Sequence, residues 1–224
     1  MKAPVCCVCL LAAVFLARGA GSDRHAADSE KAAALPPPAT VGGMPLVEAI
    51  AQRRSKRAFL DQPLTIEDVS QLCWAAQGTT DSQRGFRTSP SAGALFPVEL
   101  YVVTADGVDH YRPSDHRLDR HLPGDLRGPL QAAALDQDSV GHAAACMVIT
   151  AVVDRTARKY GSRAERYCFI EAGHVAQNIL LQATALKLAG VPVGAFQDQQ
   201  VASVLKLPQD RRVLYLVPIG YPAD

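Results

Sequence analysis

The sequence predicts an α+β fold. Strand-like apolar runs at residues 98–104 and 146–153 mix with helical patterns without a strict βαβ rhythm. One helical pattern, residues 163–189, is far longer than the others and apolar nearly all round. Such a helix belongs in the centre of a protein or at a subunit interface. The chain has 224 residues, 48% of them hydrophobic and 20% charged, enough for one domain with a sizeable core. Its net charge of +1 argues against a nucleic-acid binder that works by bulk electrostatics.

The N-terminus reads differently. Lys2, an apolar run over residues 5–16 and then Ala17-Arg18-Gly19-Ala20 form a secretory signal over residues 1–20. The apolar run is short for a membrane span, although a retained N-terminal membrane anchor stays open. The expected destination is export, to the bacterial periplasm. Residues 21–43, rich in Ala, Asp, Ser and Pro, read as a disordered linker to a domain at 44–224. Removing the signal leaves Cys73, Cys146 and Cys168, all in apolar contexts. An odd count favours buried free thiols over pairing. No metal-ligand spacing is present among the cysteines and histidines.

Within the domain, residues 44–52 form an amphipathic segment with Leu46, Val47 and Ile50 at helical spacing. Thr65 followed by Asp68 is a capping signature for a helix through Ile66, Val69, Leu72, Cys73 and Ala76 that Gly78 ends. Residues 79–88 read as a polar loop. A strand over 98–104 is paired back by 107–111, and a helix occupies 125–135. The run from 146 to 153 is a buried strand. After the long helix, Gly190 and Pro192 mark its end. A short strand near Val193, a helix over 199–205 and a strand over 213–219 close the chain.

Three segments can carry chemistry. Arg53-Arg54-Ser55-Lys56-Arg57 puts four cations and a hydroxyl into five positions. Such a cluster can hold a phosphate, or can simply serve the negative end of a helix dipole. Ser89-Pro90-Ser91-Ala92-Gly93-Ala94-Leu95-Phe96-Pro97 lets a flat ligand approach the backbone, or is an ordinary tight connection. Gly190-Val191-Pro192-Val193-Gly194-Ala195-Phe196 can present backbone groups to a heteroaromatic ring, or is a plain helix-to-strand turn.

Taken in order with Gly-His-Val-Ala-Gln-Asn at 173–178 and Val-Pro-Ile-Gly-Tyr-Pro at 217–222, these segments resemble the nitroreductase family of FMN flavoproteins, most closely its SagB-type branch. The resemblance runs from about residue 44 to residue 222. It implies a three-layer arrangement: a mostly antiparallel central sheet flanked by helices, with a long buried central helix. It also implies a homodimer with FMN at the interface. Arg53, Arg54, Ser55 and Arg57 fall to the FMN phosphate, ribityl chain and pyrimidine edge. Pro90, Ser91, Ala92 and Gly93 fall to a flavin-contacting loop from the other subunit. Pro192, Val193, Gly194 and Ala195 fall beside the isoalloxazine, where a backbone N–H reaches N5. Lys159 and Tyr160 match the catalytic pair of azoline-oxidising SagB-type relatives; the alternative is an exposed basic loop. His174 is a proton donor or, more often for such a position, a satisfied core residue.

The implied activity is FMN-dependent hydride transfer, with NAD(P)H as a possible electron donor and a small-molecule or peptide substrate of nitroaromatic, quinone or azoline type. The alternative from a different class is an exported flavin-binding protein without turnover. Two departures from the family pattern stand out. Ala94 occupies the place where typical nitroreductases carry a flavin-touching asparagine. The sequence also ends at Asp224 without a basic tail, which puts more weight on residues 53–57.

Overall fold

The computed structural model describes Met1 and residues 33–223. The expected export signal lies outside the described residues, Met1 apart. The strands are β1 (Ala33–Ala34), β2 (Thr79–Asp81), β3 (Phe86–Arg87), β4 (Val98–Thr104), β5 (Gly107–Arg112), β6 (Arg117–Pro123), β7 (Ala145–Ala151), β8 (Ala189–Gly190) and β9 (Arg212–Gly220). The helices are α1 (Leu46–Gln52), α2 (Ile66–Gln77), α3 (Arg127–Ala133), α4 (Asp138–Gly141), α5 (Val153–Tyr160), α6 (Ala164–Ala185) and α7 (Asp198–Val204).

Among the described residues, seven strands form one sheet in the order β1-β6-β5-β4-β7-β9-β8. Every neighbouring pair is antiparallel. Alternation along β4, β7 and β9 divides the core in two. Leu100, Val102, Met147, Ile149, Val217 and Ile219 face α2 and α6. Tyr101, Val103, Cys146, Val148 and Leu216 face α3, α4 and α7. The result is the expected three-layer α+β arrangement. Burial pushes the Cys146 thiol up to about 12, so it stays protonated in the core.

The Thr65 signature closes as a reciprocal capping box: Asp68 N–H donates to Thr65 Oγ1, and Thr65 N–H donates to Asp68 Oδ2. The long helix is present as α6, and the residues after Ala185 leave it for β8. One face of α6 is buried through Cys168, Ala172, Val175, Ile179 and Ala183. The other face, with Phe169, Ile170, Gly173 and His174, is exposed in the single chain. His174 is therefore no core residue.

Other expectations change. Residues 33–43 are not a free linker. β1 pairs with β6, Leu35 is buried in the core, and Ala39 N–H donates to Gln71 Oε1 at 2.8 Å. The loop over 79–88 is a β2–β3 hairpin. Lys159 and Tyr160 lie at the end of a helix, α5, rather than in a loop. In α1 only Ala49 is buried; Leu46, Val47 and Ile50 are 66%, 76% and 55% exposed. The periodicity marked an apolar stripe correctly, but nothing described in this chain covers it.

Candidate functional site

The segment after α1 is stitched to two distant pieces of chain. Ser55 forms a parallel bridge with Gly190, and Lys56 N–H donates to the Gly190 carbonyl at 3.1 Å. Phe59 bridges to Pro222, and Leu60 N–H donates to the Tyr221 carbonyl at 2.9 Å. Two glycines permit this approach. A Cβ on Gly190 would stand 2.5 Å from Ile219 Cδ1, and one on Gly220 would stand 3.0 Å from the Phe59 side chain. The basic cluster thus meets the 190–196 segment and the end of the chain in one place.

The four predicted groups of the cluster divide. Arg54 Nη1 donates to the carbonyls of Ala51 and Arg53 at 2.9 and 2.8 Å, so this guanidinium serves the negative end of α1. Arg53 is half-buried, Ser55 and Arg57 are exposed, and neither Arg53 nor Arg57 forms an ion pair among the described residues. Arg57 borders a surface concavity with Gln137, Asp138, Ser139 and His142. Gln137 Nε2 in turn donates to the Ala195 carbonyl at 2.8 Å, which fixes the 190–196 segment beside Arg57.

In that segment Val193 is buried, and its N–H and C=O are both spent on Leu216 at 2.8 and 3.0 Å. Pro192 has no N–H. Gly194 and Ala195 are exposed, and among the described residues their N–H groups make no hydrogen bond. These two are the donors open to a ligand. Unpaired cations beside open backbone N–H groups are a donor set that fits a phosphate-bearing heteroaromatic cofactor such as FMN.

The second cluster forms around residues 90–96. Gly93, Ala94 and Phe96 have φ of 63, 54 and 46°, so two non-glycine residues sit in left-handed backbone within four positions. Strain of this kind persists only where neighbours over-determine it. Phe96 N–H donates to Ser91 Oγ at 2.9 Å, and Arg155 Nη1 donates to the Phe96 carbonyl at 2.8 Å. Ser91's hydroxyl is therefore used inside the turn, leaving its backbone, Ala92 and exposed Pro90 and Gly93 to face outward.

Lys159 and Tyr160 come to the same place. A Cβ on Gly93 would stand 2.8 Å from Tyr160 Oη and 2.9 Å from Lys159 Nζ. Gly161, at φ 53°, stops α5 there, and the Tyr160 ring packs edge-on against Tyr167 of α6 at 5.0 Å. Lys159 Nζ lies 5.5 Å from the centre of the Tyr160 ring.

Two positions that carry this cluster had no functional reading in the sequence. Arg155, on α5, ties Phe96 to Glu99 of β4, and His110 Nε2 holds the other Glu99 oxygen at 2.7 Å. Burial works to raise the Glu99 carboxyl, but His110 and Arg155 outweigh it and hold it at about 2. Glu171, on α6, is 2% exposed under the turn, with one oxygen, Oε1, unpaired among the described residues. Burial pushes its carboxyl up to about 7, against the opposing effects of the Ser91 hydroxyl, the Val98 N–H, Arg87 and Gln77. The signal for Glu171 was present: it is a lone carboxylate among Cys168, Ala172 and Val175 on an apolar helix face.

Comparison with known proteins matches residues 50–221 to the nitroreductase family. A protein of Methanocaldococcus jannaschii that carries a nitroreductase name is 41% identical over 181 residues, which span 78% of this chain and 90% of that protein. The microcin B17-processing protein McbC of Escherichia coli is 24% identical over 157 residues, 65% of this chain and 58% of that protein. A crystal structure from Ralstonia eutropha JMP134, also under a nitroreductase name, superposes with a TM-score of 0.79 at 31% identity, covering 88% of this chain and 92% of that one.

Proposed function

The chain belongs to the nitroreductase family of oxidoreductases, and from that premise we propose that it is an FMN-dependent enzyme acting by hydride transfer. The observation that carries this reading is the joining of the unpaired cations Arg53 and Arg57 to the open N–H groups of Gly194 and Ala195 through the Ser55–Gly190 bridge. Arg53 and Arg57 hold the phosphate and the pyrimidine edge. The Gly194 or Ala195 N–H orients the ring from its N5 side. When bound, the flavin supplies the hydride acceptor and donor chemistry that no side chain here can provide.

We further propose a homodimer, in which the turn over 90–93 of one subunit faces the 53–57 cluster of its partner. The exposed Leu46, Val47 and Ile50 on α1, with Phe169 and Ile170 on α6, support this, since exposed apolar groups gathered on two neighbouring helices call for a covering surface. The contact of Gly93 with Lys159 and Tyr160 favours the SagB-type branch, as does the similarity to McbC. In that reading Lys159 removes a proton from the ring carbon next to the one that gives up hydride, so that the electron pair left behind forms the new double bond, and Tyr160 positions the lysine. Export, with the signal removed, is part of the proposal; N-terminal sequencing of the protein from its native compartment tests it.

Purification tests the core of the reading. A yellow protein with a flavin absorption band, bleached by NADPH, dithionite or an azoline substrate and reoxidised by a quinone or nitroaromatic acceptor, supports it. A yellow protein that cannot be turned over favours a flavin-binding protein without catalysis. A colourless protein that takes up no added FMN overturns both.

A further inference from the structure

Beside the strained turn over residues 93–96 lies a buried carboxyl, Glu171, whose neighbours include Ser91 and Val98. The turn's hydrogen bond from Phe96 N–H uses Ser91 Oγ as acceptor. That leaves the Ser91 O–H free to donate, and it faces the Glu171 carboxyl. The chain of contact therefore runs from the body of α6, through one hydroxyl, to the residue that closes the turn. Nothing about helix stability requires a carboxyl here: the neighbouring buried positions of α6 are Cys168, Ala172 and Val175. Its Oε1 has no hydrogen-bond partner among the described residues, and an unpaired oxygen in a 2% exposed side chain costs stability.

We propose that Glu171 is a positioning residue: through the Ser91 hydroxyl it fixes the turn over 93–96, and so sets where Gly93 stands against Lys159 and Tyr160. That these last three form the reacting half-site rests on the function proposed above; the anchoring of the turn does not.

The neutral acid suits this task. A protonated carboxyl accepts from Ser91 without placing a charge in the core. Ionisation puts an anion where one oxygen has no donor, and solvation of that anion is reached by opening the turn. The groups that face Glu171 are Arg87 from β3, the Ser91 hydroxyl, the Val98 N–H of β4, Gln77 of α2 and, on its own helix, Cys168. Arg87 is the one cation among them, and it is shared with Glu99 and sits beside Arg155 and Tyr111. Arg87 Nη1 donates to Gln77 Oε1 at 2.9 Å, and its guanidinium lies over the Phe96 ring at 4.5 Å, so it is not free to turn wholly to Glu171. With the carboxyl at about 7, the turn is closed below that pH and loosened above it.

The test is amide hydrogen exchange on the full-length, flavin-free protein, read at the Phe96 amide and corrected for the intrinsic rate at each pH. In the wild type, protection should fall at least 5-fold between pH 6 and pH 8. In Glu171→Gln, which keeps an acceptor for Ser91 and cannot ionise, it should stay flat over that range. Ser91→Ala should lose protection at both pH values. An unchanged pH dependence in Glu171→Gln overturns the proposal, as does full Phe96 protection in Ser91→Ala. Because the readout needs no flavin, it stands or falls separately from the oxidoreductase reading. If that reading also holds, Glu171→Gln loaded with FMN keeps its flavin affinity and flattens the pH profile of kcat between pH 6 and 8.

Discussion

Replacing Glu171 by Gln should change how folding stability depends on pH, and the size follows from the site. An ordinary glutamate titrates near 4.5; burial lifts Glu171 to about 7 in the folded chain. Below pH 4.5 both folded and unfolded chains hold the proton, and the group is neutral to stability. Between 4.5 and 7 the folded chain keeps a proton that the unfolded chain gives up, so stability falls as pH rises through this window. Above about 7 both are ionised and the loss is complete. Between an ordinary 4.5 and about 7, at about 1.36 kcal/mol for each tenfold change in proton affinity, that loss comes to about 3 kcal/mol. Glutamine does not titrate. The variant should therefore match the wild type near pH 5 and exceed it by up to about 3 kcal/mol at pH 8. Urea unfolding of both proteins at pH 5, 6, 7 and 8 measures it. With a slope of roughly 2 kcal/mol per molar, the midpoints should separate by about 1.5 M at pH 8. Parallel stability curves for the two proteins would refute the assignment of a buried neutral acid at this position.

Arg57→Ala should weaken FMN binding by roughly 1.5–3 kcal/mol, about 10- to 150-fold, because a charge-assisted bond is lost; unchanged affinity by flavin fluorescence titration would remove Arg57 from the phosphate site. Gly93→Ala places a Cβ 2.8 Å from Tyr160 Oη on left-handed backbone. It should cost about 1 kcal/mol of stability and lower kcat at saturating FMN; steady-state kinetics with intact turnover would count against the Lys159–Tyr160 assignment. Ile170→Glu puts a charge on the exposed face of α6. Sedimentation velocity should then show a monomer with reduced flavin content, and an undisturbed dimer would place the interface elsewhere.

The parts of the fold that could be read in the sequence are those with a strong local cause. Thr65 and Asp68 cap α2 through side chains three residues apart. β4, β7 and β9 are buried on both faces, so their apolar runs are unbroken. Gly78 was rightly placed at the end of α2, but its φ of −58° is not left-handed. Glycine stands there because a Cβ would lie 2.2 Å from Trp74 Cδ1. β6 was missed because its alternation is masked by charge: Arg117 and Asp119 pair along one face, while Arg120 reaches across to Asp109. α5 was missed because its only fully buried side chain is Thr156. At the site, the sequence brought the right segments forward but not their groupings. That residues 53–59 join 190 and 222, while 93 joins 159 and 160, depends on long-range bridges and on glycines whose missing Cβ matters only in three dimensions. Ser91 shows the limit most plainly: the resemblance puts it in a flavin-contacting loop, but its Oγ accepts the Phe96 N–H inside the turn.

Arg155 offers a sharper probe of how that turn is held, because it joins two loads. Its guanidinium donates to the Phe96 carbonyl and pairs with Glu99, which His110 also holds. The low Glu99 carboxyl contributes stability that is present above about pH 4.5 and is lost as pH falls through about 2. Arg155→Met leaves Glu99 buried with one cation fewer. Breaking such a pair costs 3–5 kcal/mol when fully buried; with the Arg155 side chain 35% exposed, about 2 kcal/mol is expected. Adding Glu99→Gln removes the stranded charge and should restore most of that stability. It cannot restore the bond to Phe96, so the strained turn and the lie of Lys159 and Tyr160 remain loosened. The double variant should therefore regain its unfolding midpoint while turnover stays as low as in Arg155→Met. Turnover that recovers together with stability would show that Arg155 serves Glu99 alone, and that the turn over 93–96 is held without it.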